Sequence, residues 1–145
     1  LPPMHGMDLM RAPLWTVSDL FASSALPPRA AGVYAWCFDS LPPVVPVDGC
    51  RVRDGFTLLY VTALAEAAEP IGSGQSGTLR SRLRQHCRGT AEGSTLRLTW
   101  GCLLAESLQL RLCAVGRSGR LTFEADGEAR LSAWMAAHAR VSFVI

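Results

Sequence analysis

The sequence predicts an α+β domain, with a small, mostly antiparallel sheet flanked by helices. Three observations carry this. Two short segments rich in aromatic and β-branched residues, 32–38 (Gly-Val-Tyr-Ala-Trp-Cys-Phe) and 56–61 (Phe-Thr-Leu-Leu-Tyr-Val), stand on either side of a Pro- and Gly-rich stretch. Two helix-forming segments follow, each behind a hydroxyl residue suited to cap it, Thr78 and Ser94. An alternating segment, a glycine turn and a last amphipathic helix then close the pattern.

Taken in order, residues 1–13 are rich in Pro and Met and have no period. Residues 14–26 read as a short helix starting near Ser18 and stopped by Pro27-Pro28. The two apolar segments at 32–38 and 56–61 read as strands. Paired antiparallel, they bring Tyr34 and Tyr60 close to each other in the sheet. The stretches 39–55 and 62–77 read as loops, the second ending in Gly72-Ser-Gly-Gln-Ser-Gly77. Helices are expected over 79–88 behind Thr78 and over 95–107 behind Ser94. Residues 109–115 alternate, turn at Gly116 to Gly119 and return over 120–123 as a hairpin. Asp126 is expected to cap a helix over 127–138, and Val141-Ser-Phe-Val-Ile145 reads as a strand or docking tail. Residues 1–30 thus form a lead-in with a short helix, and 31–145 form the domain.

Composition narrows the class. The chain has 145 residues, which suits one domain, and 49% hydrophobic residues, enough for a core. No apolar run reaches the ~20 residues that cross a bilayer, so no membrane partner is expected. The N-terminus lacks the basic-then-apolar pattern of a secretory signal, and the chain begins with Leu, which reads as trimmed or as a fragment. The cysteines at 37, 50, 87, 102 and 113 are odd in number and form no Cys-x-x-Cys pair. Reduced thiols in a cytoplasmic protein are the expectation, with neither a zinc site nor a disulfide framework. The net charge of +2 does not single out a nucleic-acid partner, but all 14 basic residues are Arg. Any phosphate contact from a basic side chain therefore comes from a guanidinium, which grips phosphate bidentately and is no general base.

At about 100° per residue, Leu79, Leu83 and Cys87 form the apolar stripe of the 79–88 helix. Arg82 and His86 stack one turn apart along one edge of that stripe, where a polar head reaches a cleft. Arg80, Arg84 and Arg88 point toward the other edge and solvent. Glu128 borders the apolar face of its own helix. Its position in the first turn also suits the helix dipole without any further role. Strand tyrosines by themselves are usually packing residues. His5 and His138 have no motif around them.

In order along the chain stand Gly32-Val33-Tyr34, Tyr60-Val61, Leu79-x-x-Arg82 with His86 four residues on, and Glu128 opening a Glu-x-x-Leu helix. This order resembles the GIY-YIG nuclease family, over roughly residues 31 to 145. The stretch Glu92–Arg97 and the Leu-Ser-x-Trp-Met segment also resemble a small bacterial subgroup of that family. The resemblance implies a GIY-YIG-like fold and a metal-dependent endonuclease hydrolysing nucleic-acid phosphodiester bonds, DNA before RNA. It implies Tyr34, Tyr60, Arg82, His86 and Glu128 as catalytic residues. Glu128 would hold Mg²⁺ or Mn²⁺, Arg82 the phosphate oxygens, and a tyrosine the attacking water. Arg80, Arg84, Arg88 and Arg97 are the implied contacts to the substrate backbone. The chain departs from the pattern in four places. Thr62 replaces the last Gly of the second triplet, no Lys follows it, the 62–77 loop is long, and Arg140 stands where an Asn is common. These departures point to the alternative, a relative that binds nucleic acid with weakened or lost chemistry. A third reading is an interaction module unrelated to nucleic acid.

Overall fold

The computed structural model describes residues 8–64 and 77–145. The chain opens with a short helix α1 (Val17–Leu20), capped by the Thr16 side chain, which accepts from the Asp19 N–H. Strand β1 (Gly32–Phe38) follows, then a two-residue strand β2 (Val52–Arg53) and the long strand β3 (Phe56–Leu64). Helix α2 (Leu79–Arg88) leads through a single 3₁₀ turn (Ala91–Gly93) into α3 (Thr95–Leu103) and α4 (Ala105–Leu108). A hairpin of β4 (Leu112–Val115) and β5 (Arg120–Phe123), helix α5 (Ala125–His138) and strand β6 (Ala139–Val144) complete the fold.

The main sheet is antiparallel in the order β2-β3-β1-β6, and β4-β5 form a separate two-stranded sheet. β1 is the central strand, and the last five of its residues are buried. Its register sets Tyr34 opposite Thr62 and Trp36 opposite Tyr60, with a bulge between Trp36 and Cys37. Tyr34 and Tyr60 are therefore diagonal neighbours, their ring centroids 6.3 Å apart. The α+β expectation and the strand and helix order hold.

Several expectations change. The loop expected over 39–55 contains β2, because Asp54-Gly55 makes a two-residue hairpin with positive φ at both positions (53° and 82°). Residues 62–64 extend β3, and the rest of the expected 62–77 loop lies outside the described residues. The helix expected over 95–107 breaks at Leu104, and its second piece ends at Gln109 in the left-handed conformation (φ 54°). Glu124, not Asp126, occupies the cap position of α5, so Asp126 lies in the first turn. The tail is a true strand, β6, along the free edge of β1. Part of the lead-in is built into the core: Leu20 is buried, and Trp15 forms an antiparallel bridge with Val141.

Helices α2, α3 and α5 cover one face of the sheet. Leu79 and Leu83 from α2, Leu96 and Trp100 from α3, and Leu131 and Met135 from α5 meet Tyr34, Trp36 and Phe38 of β1 in one core. The alternation of β1 thus delivers Tyr34 to the helix-covered face with its ring buried and its hydroxyl toward α2.

Candidate functional site

α2 carries the centre of the site. Thr78 and Ser81 form a reciprocal capping box that starts the helix cleanly, so Arg82 and His86 stack one turn apart as the spacing required. His86 is fully buried. Its Nε2 lies 2.7 Å from the Tyr34 hydroxyl, and its Nδ1 lies 2.6 Å from the Ser94 hydroxyl. The Tyr60 ring meets His86 edge-on at 6.0 Å. Tyr34, Tyr60, Arg82 and His86 therefore converge.

The electrostatics of this cluster are set by burial. Burial pushes the Tyr34 phenol up to about 12, the Tyr60 hydroxyl adding to the rise while Arg82 and Thr62 beside the oxygen oppose it. Burial brings His86 down to about 3, helped by the positive charges of Arg82 and Arg97. At neutral pH the imidazole is uncharged, with one donor and one acceptor nitrogen.

A polar cleft of about 650 Å³ adjoins the cluster, with Arg82, Glu92, Ser94, Gly119 and Arg120 in its walls. Arg82 enters from α2 and Arg120 from the start of β5, so two guanidinium groups border one space. A second, mostly apolar cavity of about 380 Å³ lies beside Tyr60, between Leu58, Leu59, Leu96 and Trp100.

Glu128 is placed differently from what the resemblance implies. Its Oε2 accepts from Arg97 Nη2 at 2.7 Å and Nε at 3.1 Å. Its Oε1 accepts from the Ala91 N–H at 2.8 Å, the Thr122 hydroxyl at 3.0 Å and the Phe123 N–H at 3.1 Å. Burial alone would raise this carboxyl, but the Ala91 N–H, the Arg97 guanidinium and the Phe123 N–H hold it below the ordinary range. Two carboxylate oxygens offer about four lone-pair directions, and five donors already point at them. A Mg²⁺ or Mn²⁺ ion needs such lone pairs for itself. As arranged, Glu128 does not fit the metal-ligand role. Among the described residues no group of three His, Cys, Asp or Glu side chains is placed to share a metal ion.

Arg97 is also corrected. It is 0% exposed and binds Glu128 and the His86 carbonyl oxygen (3.0 Å), so its guanidinium is not available to a substrate backbone. A guanidinium with no route to water stays in the interior only when its donors are matched, and here Glu128 and backbone carbonyls match them. Arg80 is held by the carbonyl oxygens of Pro27 and Ser24, which ties α2 to the lead-in instead of presenting a charge. Arg88 lies over the Phe21 ring at 4.4 Å, and Arg84 is exposed. Sequence reasoning missed Ser94, Thr122 and Arg120. Ser94 was legible only as a helix cap. Its contact with His86 depends on the 3₁₀ turn that folds α3 back against α2. His138 also gains an unforeseen partner, with Nδ1 2.9 Å from the Asp39 carboxylate.

The described residues include no helix long and apolar enough to cross a membrane. No curated protein and no solved structure gives a significant match to the chain. A family model described as the GIY-YIG catalytic domain matches residues 32–145. That span begins at the Gly of the first triplet and runs through β1, β3, α2 and α5 to the last strand. The chain therefore belongs to the GIY-YIG catalytic domain family, a family of nucleases that generally use divalent metal ions.

Proposed function

We propose that the protein is an endonuclease that hydrolyses phosphodiester bonds of DNA. One observation supports this above the others: the buried tyrosine–histidine pair stands beside Arg82 at the wall of a polar cleft bordered by a second guanidinium. Hydrolysis needs an oriented water and relief of charge on the phosphate. Arg82 and Arg120 relieve that charge, each able to grip two phosphate oxygens. Tyr34 orients the water and takes its proton, and His86 holds the Tyr34 oxygen in place. Tyr60 packs across His86 and lines the apolar cavity beside it. Glu128 acts at one remove: it ties Arg97, the 3₁₀ turn and β5 together, and Arg97 in turn holds the backbone of His86.

The closure of Glu128 by five donors favours a second reading, a relative that binds nucleic acid and has lost its chemistry. Nicking of supercoiled plasmid in Mg²⁺ or Mn²⁺ separates the two. Cleavage by the native chain, abolished by EDTA and by Arg82→Ala, is the expected result. Binding to DNA at low salt without cleavage in either metal would sink the hydrolase reading and leave the second.

A further inference from the structure

We infer that Ser94 is a positioning residue that fixes His86 as the tautomer carrying its hydrogen on Nε2, so that His86 donates to the Tyr34 oxygen. The inference deepens the proposed function and rests on it only for its consequence in catalysis. Tyr34, His86 and Ser94 form one buried chain, 0%, 0% and 2% exposed, with contacts of 2.7 and 2.6 Å. The direction of the hydrogens follows from counting donors.

The Ser94 oxygen caps α3 and already accepts from the Arg97 N–H at 3.1 Å. Its remaining neighbour among the described residues is His86 Nδ1. If Nδ1 also donated, the Ser94 hydrogen would have no acceptor among the described residues, a state that buried hydroxyls avoid. If instead Ser94 donates to Nδ1, that nitrogen is the acceptor and Nε2 carries the ring hydrogen. Nε2–H then points at the Tyr34 oxygen. Thr62, the partner of Tyr34 across the strands, also stands beside that oxygen and favours its ionised form. In this arrangement the Ser94 hydroxyl and the His86 ring N–H each have an acceptor.

The arrangement has a chemical consequence. Arg82 also acts on the Tyr34 oxygen as a hydrogen-bonding neighbour. With Nε2–H beside it, two donors favour the phenolate over the phenol, which is the form able to take a proton from water. Without Ser94 the ring is free to exchange tautomers, Nε2 accepts the Tyr34 hydrogen, and the phenol is held protonated. Ser94 thus acts on Tyr34 through His86 and touches no substrate.

The test uses the full chain labelled with ¹⁵N. Two-bond proton–nitrogen spectra identify the tautomer of each histidine at neutral pH, and the His86 signals are assigned by their loss in His86→Gln. Two variants are compared. Ser94→Gly keeps most of the cap energy while removing the hydroxyl, and Ser94→Thr keeps both. The native chain and Ser94→Thr are expected to show Nε2–H, and Ser94→Gly a mixture or the Nδ1–H form. Cleavage by Ser94→Gly is expected to fall at least about tenfold in kcat with little change in KM, and Ser94→Thr to restore it. An Nδ1–H tautomer in the native chain, or Nε2–H unchanged in Ser94→Gly, overturns the inference. If no form cleaves, the hydrolase reading fails, while the ring tautomer still decides the role of Ser94.

Discussion

Tyr34 and His86 make the sharpest predictions at the scale of single residues. A tyrosine that must lose its proton to act, but is held up to about 12, is mostly in its inactive form at neutral pH. The cleavage rate should therefore rise by about tenfold per pH unit between pH 7 and 9. A flat profile in a folded, active preparation would remove Tyr34 as the base. Tyr34→Phe should lower cleavage by roughly 100-fold or more while leaving low-salt DNA binding intact. His86 predicts a stability effect. Its value falls from 6.5 unfolded to about 3 folded, so protonation favours the unfolded chain. The stability it supports is complete above pH 6.5 and is lost as the pH falls toward 3. Urea unfolding at pH 7 and pH 4 should show a smaller difference in His86→Gln than in the native chain.

The elements around the site are joined by the Arg97–Glu128 pair more than by any other polar contact. It links α3 to α5, and through Glu128 also engages the 3₁₀ turn and β5. Removing one member leaves a buried charge uncompensated. Arg97→Met or Glu128→Leu alone should cost about 3–5 kcal/mol in urea unfolding. The double variant should lose less than either single, because both charges leave together. A double variant as unstable as the sum of the singles would mean that the two groups do not act as a pair. The carboxyl of Glu128 is held low, so its share of stability is present above the unfolded value of 4.5 and disappears as the pH falls through the folded value. Packing at this junction is equally strict. A Cβ added at Gly101 would collide with the Phe123 ring, so Gly101→Ala should destabilise α3 against β5 by about 1–3 kcal/mol.

On the scale of the whole molecule, a net charge of +2 gives little general attraction to nucleic acid. Affinity must come from placement, and Arg82 and Arg120 border the same cleft. DNA affinity should fall with salt, and Arg120→Ala should reduce the slope of log affinity against log salt by about 1. Arg80→Ala should leave that slope unchanged and lower stability instead, because Arg80 fastens α2 to the lead-in. Equal slopes for Arg120→Ala and the native chain would show that the phosphates lie elsewhere.

The sequence alone determined the α+β class, the order of strands and helices, and the stacking of Arg82 and His86. These are local consequences of alternation, capping and the helical period, readable within ten residues or so. The order of motifs also determined the family, because four weak signals in register are specific together. Asp54-Gly55 was a legible hairpin signal that the surrounding prolines obscured. Only the tertiary structure decided the partners of the charged groups. Arg97 and Glu128 both sit on helix faces from which solvent or a ligand was equally open, yet they lie 31 residues apart in sequence and 2.7 Å apart in space. Ser94 likewise meets His86 only because the 3₁₀ turn reverses the chain. Local pattern fixes which way a side chain leaves its own element. Whether it then meets water, a ligand or another side chain depends on where the other elements pack.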